Sequence, residues 1–265
     1  MRFISKIKKS DLKSCTDEGE LVTLDEICGG ELKVYQPKKG YRFSVDALLL
    51  ANFIKVKRID TAADLGCGCG IISLILAKKW TPKKILGIEL QKNLYEIAKM
   101  NTELNNLQEI FEVMNADYTK LRNIIKAESF DIIISNPPFR KPVSGKISPY
   151  HEKAVARHET AMDIESLISS SAYLVKYRGK TAFIYNADRT AELIYTMKKY
   201  NIEPKRLRFV HSKSALNAEL VMIEGVKGGK PSIKVEKPFI VYKNVESDSK
   251  VECYTEEARK IYYKL

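Results

Sequence analysis

From about residue 59 to residue 135 the chain alternates four short apolar runs with helix-length amphipathic stretches, a rhythm that few folds accommodate. RIDTAADLG, KKILGIEL, EIFEVMNAD and SFDIIIS read as strands. Between them GIISLILAKKW, QKNLYEIAKMNTELNNL and YTKLRNIIKA read as helices. The first stops before Pro82, and the second sets Leu94, Ile97, Ala98 and Leu104 near one face. Strands joined through helices run parallel, so the pattern predicts a parallel sheet with helices on both faces. The wholly apolar run 132–134 suits a strand buried on both sides.

After a polar insert at roughly 140–162 the alternation resumes. MDIESLISSSAYLVKY reads as a helix capped by Asp163, KTAFIYN as a strand, and DRTAELIYTMKKY as a helix capped by Asp188. RLRFVHS and LNAELVMIEGVK are too close for a helix between them and form an antiparallel hairpin at the end of the sheet. GGKPS marks a turn before IKVEKPFIVY, and TEEARKIYYKL reads as a short helix. Upstream, LVTLDEI and LKVYQP are short strands around Gly29 and Gly30, followed by a helix SVDALLLANFIK with Ser44 as N-cap. The expected fold is α/β and Rossmann-like. It has a mostly parallel seven-stranded sheet over 59–228, with an antiparallel strand at its end, a small N-terminal cap at 1–58 and an extension at 229–265.

DLGCGCG follows the first of these parallel strands and opens a helix. Gly66, Gly68 and Gly70 let the backbone turn tightly and approach a ligand at the carboxyl end of the sheet. In a dinucleotide fingerprint the third glycine falls one residue later, where this chain has Ile71. Asp64, ahead of the loop, would repel a pyrophosphate but could hold a sulfonium or ammonium group. The next strand ends in Glu89, placed to accept hydrogen bonds from ribose hydroxyls, and the third ends at Asp117, placed for an adenine amine. A glycine loop with acids ending three successive strands fits S-adenosylmethionine.

The fourth strand runs into Asn136, Pro137, Pro138 and Phe139. The Asn136 side-chain oxygen and the Pro137 carbonyl can each accept one N–H bond from an exocyclic amine on a planar ring. That favours a pyramidal nitrogen with its lone pair towards the methyl donor. Consecutive prolines fix the two acceptors in advance, and Phe139 offers a stacking face.

With 45 Lys and Arg against 33 Asp and Glu, the formal charge is +12, which points to a polyanionic partner, nucleic acid before membrane. Arg140, Lys141, Lys146, Lys153, Arg157 and His158 follow the corner and are candidate RNA contacts; Lys205, Arg206, Arg208 and Lys213 form a second basic cluster. The apolar stretches VDALLLANFI and IISLILA are too short to span a bilayer. The basic start lacks an apolar signal region, and five cysteines without a C-x-x-C pair argue against zinc, so a cytoplasmic protein without a metal is expected.

DLGCGCG, GIEL and SNPPF in this order look like a class I methyltransferase acting on planar nitrogen. QPKKGYRFSVDALLLANF and NPPFRKPVSGKISPYHEKAVARHE narrow the resemblance to the bacterial tRNA1(Val) adenine-37 N6-methyltransferase family, over roughly residues 20–225. The resemblance implies that Asp64, Gly66, Cys67, Gly68, Gly70, Glu89, Leu90, Ala116 and Asp117 bind S-adenosylmethionine, with Tyr41, Phe43 and Asp46 near the pocket. It also implies that residues 136–139 hold the target adenine in a tRNA anticodon loop. That family often carries tyrosine where this chain has Phe139, which keeps stacking and loses a hydroxyl. Other readings stay open at this point: N5-methylation of a release-factor glutamine, methylation of DNA adenine or rRNA guanine, a nicotinamide-dependent dehydrogenase, or a non-catalytic RNA-binding module.

Overall fold

The computed structural model describes residues 21–40, 42–137, 164–243 and 253–264. The alternating region folds as β3 (Thr61–Leu65), α2 (Ile71–Trp80), β4 (Lys84–Glu89), α3 (Lys92–Leu104), β5 (Phe111–Asn115) and β6 (Phe130–Ser135). Further on come α4 (Ile164–Leu174), β7 (Val175–Asn186), α5 (Thr190–Lys199), β8 (Ile202–His211) and β9 (Ala218–Lys227). In space the strands lie in the order β8, β9, β7, β6, β3, β4, β5, with β9 antiparallel to both neighbours and the others parallel. The antiparallel strand β9 therefore lies inside the sheet, because β8 turns back outside it. Two apolar cores cover the faces. One joins α2, the helix at 45–53 and the upstream hairpin to Ala62, Ile132, Ile134 and Ile184. The other joins α4 and α5 to Ala63, Ile133, Phe183 and Ile223.

Several expected elements differ in extent. YTKLRNIIKA forms only a 3-10 turn, Tyr118–Asn123, because Asp117 accepts from the Thr119 amide and closes a tight turn, and only Tyr118 and Leu121 are buried within it. The helix drawn to residue 177 stops at Leu174, since Val175 already pairs with Phe130. Asp188 lies inside a 3-10 turn, Ala187–Arg189, that precedes α5 instead of capping it. Asp163 is outside the described residues. Among the described residues the sheet holds the seven strands expected over 59–228 and two more from the extension: β10 (Lys234–Val235) and β11 (Phe239–Ile240) both pair in parallel with β8, interrupted around Pro238, which has no amide to donate.

Upstream, β1 (Val22–Ile27) and β2 (Leu32–Pro37) form a separate antiparallel hairpin, and α1 (Val45–Phe53) follows. Ser44 occupies the N-cap position of α1, but its hydroxyl donates to Asp46 Oδ2 at 2.7 Å and caps no backbone amide. The outer edge of β2 is closed by two side chains of α3. Asn101 accepts from Tyr35 N and donates to Tyr35 O, at 2.6 and 2.9 Å; Asn105 does the same at Lys33, at 3.0 and 2.7 Å. The chain ends in α6 (Glu256–Tyr263), capped by Thr255. Its end packs on the hairpin turn so closely that a Cβ at Gly29 would lie 2.6 Å from the Tyr263 carbonyl.

Candidate active site

The parallel order puts the ends of β3, β4, β5 and β6 along one edge of the sheet. Chain direction across the sheet reverses between β3 and β6, and a crevice opens at such a switch point. The glycine loop crosses it. Gly66, Gly68 and Gly70 have φ of +72°, +58° and +85°, a region that residues with a Cβ enter only at a cost. At Gly70 a Cβ would also lie 2.9 Å from the Phe111 ring. The loop is anchored by Gly66 and Cys67 amides donating to Ile88 O at 2.8 and 3.1 Å.

Glu89 is buried and accepts from the Gly68 amide at 2.8 Å and the Gln91 amide at 2.9 Å, one on each oxygen. Burial pushes its carboxyl up, against the pull of these amides. Each oxygen keeps a lone pair for a further donor such as a hydroxyl. Asp64 is 1% exposed. Its Oδ2 accepts the Ser73 hydroxyl at 2.8 Å, whereas Oδ1 has no partner among the described residues. Burial raises its carboxyl to about 7, with the Ser73 hydrogen bond opposing and the Glu89 charge adding. A buried carboxylate oxygen without a donor is costly, and a cationic ligand would relieve that cost. The donor set fits S-adenosylmethionine on this count. Burial also pushes the Cys67 thiol well up and the Cys69 thiol to about 12, so both stay protonated and unreactive.

The remaining sequence candidates divide. Leu90 is 50% exposed at the end of β4, an apolar surface beside Glu89, and Ala116 is half-buried after β5. Asp117 spends its Oδ1 on the Thr119 amide and hydroxyl, at 2.9 and 2.6 Å, and its Oδ2 faces Lys120 at 3.5 Å. Its carboxyl is held below the usual range by these hydrogen bonds and the Lys120 charge, which overcome a desolvation effect of the opposite sign. Phe43 packs partly buried against the core, its amide donating to Gln36 Oε1 at 3.1 Å. Asp46, at the first turn of α1, has its carboxyl raised by burial against the Ser44 hydrogen bond. Asn136 is half-buried and Pro137 buried, directly after Ser135, whose hydroxyl donates to Leu65 O at 2.6 Å and ties the ends of β6 and β3 together. Tyr41, Pro138, Phe139, Arg140, Lys141, Lys146, Lys153, Arg157 and His158 lie outside the described residues.

The second basic cluster is mostly internal. Arg206 bonds Glu224 at 3.2 Å and Glu236 at 2.9 Å and lies over the Phe53 ring; Arg208 holds both oxygens of Glu257 at 2.7 Å. These arginines fasten the C-terminal extension to β8. Among the described residues no group of three or more His, Cys, Asp or Glu could hold a metal ion, and no helix is long and apolar enough to cross a membrane. Sequence reading missed Ser73, Ser135 and Asn101, the last of which donates to Cys69 O in the glycine loop at 2.9 Å.

The fold is that of the class I methyltransferases. The Agrobacterium tumefaciens protein Atu636, a predicted O-methyltransferase, superimposes with a TM-score of 0.63 over 82% of this chain and 94% of that one, at 20% identity. Residues 43–152 match the family Methyltransferase small domain. A tRNA1(Val) (adenine(37)-N6)-methyltransferase of Porphyromonas gingivalis is 30% identical over 151 residues, which cover 56% of this chain and 58% of that protein, short of two thirds of its length. One from Bacteroides thetaiotaomicron is 24% identical over 236 residues, covering 89% of this chain and 96% of that protein. The chain is thus similar to tRNA1(Val) (adenine(37)-N6)-methyltransferases, and its residues 43–152 match the methyltransferase small domain.

Proposed function

We propose that this protein is an S-adenosylmethionine-dependent methyltransferase acting on the exocyclic N6 of an unpaired adenine in tRNA, position 37 of a valine tRNA by analogy with its relatives. The observation that carries the reading is the meeting of two strand ends. Asn136 and Pro137 directly follow β6, which pairs with β3, whose own end holds the glycine loop and the Asp64 oxygen that has no partner among the described residues. Bound S-adenosylmethionine supplies an electrophilic methyl group on a positively charged sulfur. Asp64 favours positive charge next to the loop, and Glu89 takes ribose hydroxyls in addition to its two amides.

The Asn136 side-chain oxygen and the Pro137 carbonyl accept the two N–H bonds of the adenine amine, and Phe139 stacks on the base. The nitrogen is thereby turned so that its lone pair faces the methyl group. No strong general base is required, because the nitrogen becomes acidic once it carries the methyl and sheds its proton to water. An anticodon-loop base is already partly unpaired, so extruding it costs less than opening a duplex. Arg140, Lys141, Lys146, Lys153, Arg157 and His158 are assigned to the surrounding phosphates. Asn136→Ala is the direct test. Methyl transfer to tRNA falls below about one thousandth of wild type, while cofactor affinity measured by calorimetry stays within about threefold. An active Asn136→Ala protein would sink the clamp.

A further inference from the structure

We propose that Asn101 is a positioning residue for the cofactor loop, joining the cap hairpin to the carbonyl of Cys69 and so setting the backbone on which the ligand rests. The inference rests on the cofactor reading given above.

Asn101 and Asn105 stand four residues apart on α3, and each closes one outward-facing residue of the β2 edge with its carboxamide. Four helical residues rise about 6 Å, and two strand residues span about 6.6 Å, so the two side chains meet Tyr35 and Lys33 in step. The pair therefore acts as a partner strand for an edge that has none among the described residues. The two asparagines differ in their remaining contact. Asn105 donates again to Asn101 O within its own helix, at 2.7 Å. Asn101, 0% exposed, donates instead to Cys69 O at 2.9 Å. Both of its amide protons are then used, on two segments far apart in sequence.

The Cys69 carbonyl lies between two left-handed glycines, Gly68 and Gly70, where the backbone has few restraints of its own. A fixed acceptor there orients the peptide between Cys69 and Gly70, and with it the start of α2, whose Leu74 amide bonds Gly70 O at 2.9 Å. The same side chain fixes Tyr35, and the next residue, Gln36, accepts from the Phe43 amide. One buried carboxamide thus sets the loop and the cap segment together.

The test compares Asn101→Ala and the milder Asn101→Ser with Asn105→Ala. All three are screened by thermal unfolding, then assayed for S-adenosylmethionine affinity by calorimetry and for hydrogen exchange of amides 66–72 without ligand. The Asn101 variants should bind about tenfold more weakly, as befits one lost buried hydrogen bond, and exchange the loop amides faster; Asn105→Ala should stay within about twofold of wild type on both. Equal behaviour of the Asn101 and Asn105 variants, both merely less stable, would overturn the proposal. If the wild-type protein fails to bind S-adenosylmethionine, the cofactor reading falls, and the exchange comparison still decides whether Asn101 sets the loop. If Asn101→Ala does not fold, Asn101→Ser decides between the same outcomes.

Discussion

Charge is handled in opposite ways at two places on one sheet. Along the β8 flank, Arg206 meets Glu224 and Glu236, and Arg208 meets Glu257. At the carboxyl edge of β3 and β4, Asp64 and Glu89 are both buried; among the described residues no arginine or lysine is paired to either, and one Asp64 oxygen has no donor. The first arrangement is a fastening, complete without a ligand. The second is short of positive charge, as a site for a cationic ligand should be. Net charge alone does not separate them, because the second basic cluster of the sequence holds the protein's own tail.

The largest expected effect breaks the site end of this comparison. Asp64→Asn keeps the shape and removes the buried charge, so S-adenosylmethionine should bind about 100-fold more weakly while the ligand-free melting temperature holds or rises. A drop in stability with unchanged affinity would make Asp64 a scaffold residue. At the other end, Arg206→Ala leaves Glu224 buried with, among the described residues, only Lys180, 3.7 Å away, to balance it. Unfolding measured in urea should cost about 2 kcal/mol less, with cofactor affinity unchanged.

The smallest effect is a pH dependence. The Asp64 carboxyl is raised to about 7 in the folded protein, whereas it ionises near 3.9 in an unfolded chain. Between those values the folded state holds a proton that the unfolded state has lost, so this group makes stability fall as pH rises through that window. A cationic ligand favours the ionised form. Binding at pH 6 should therefore release a proton, and affinity should climb about tenfold from pH 6 to 8, then level off. Calorimetry in two buffers of different ionisation enthalpy reads that proton directly, and identical heats in both would remove Asp64 from the cationic pocket.

Much of the fold was legible because the strands declare themselves twice, by apolar runs and by the loops that end them. The glycine loop and the acids at 64 and 89 could be placed on one edge from strand direction alone. The helix after Asp117 was misread because its amphipathic spacing says nothing about a side chain that closes a turn at its first residue. Ser73 and Asn101 left a signal that went unused. Ser73 interrupts the otherwise apolar run 71–77, and Asn101 follows Leu94, Ile97 and Ala98 at helical spacing on the buried face. A polar residue at a core position needs partners, and here those partners come from the loop and the cap. Which arginines would be consumed internally was not legible, since Glu236 and Glu257 reach them only after the tail pairs with β8.

The most direct measurement offers labelled S-adenosylmethionine and the purified protein to unmodified tRNA, total RNA, DNA and a translation release factor, with each product digested and its methylated component identified. N6-methyladenosine recovered from tRNA is the expected result. Label recovered only in a glutamine of the release factor would contradict the account: the Asn136 clamp would then serve an amide, and the assigned RNA contacts would be ordinary surface.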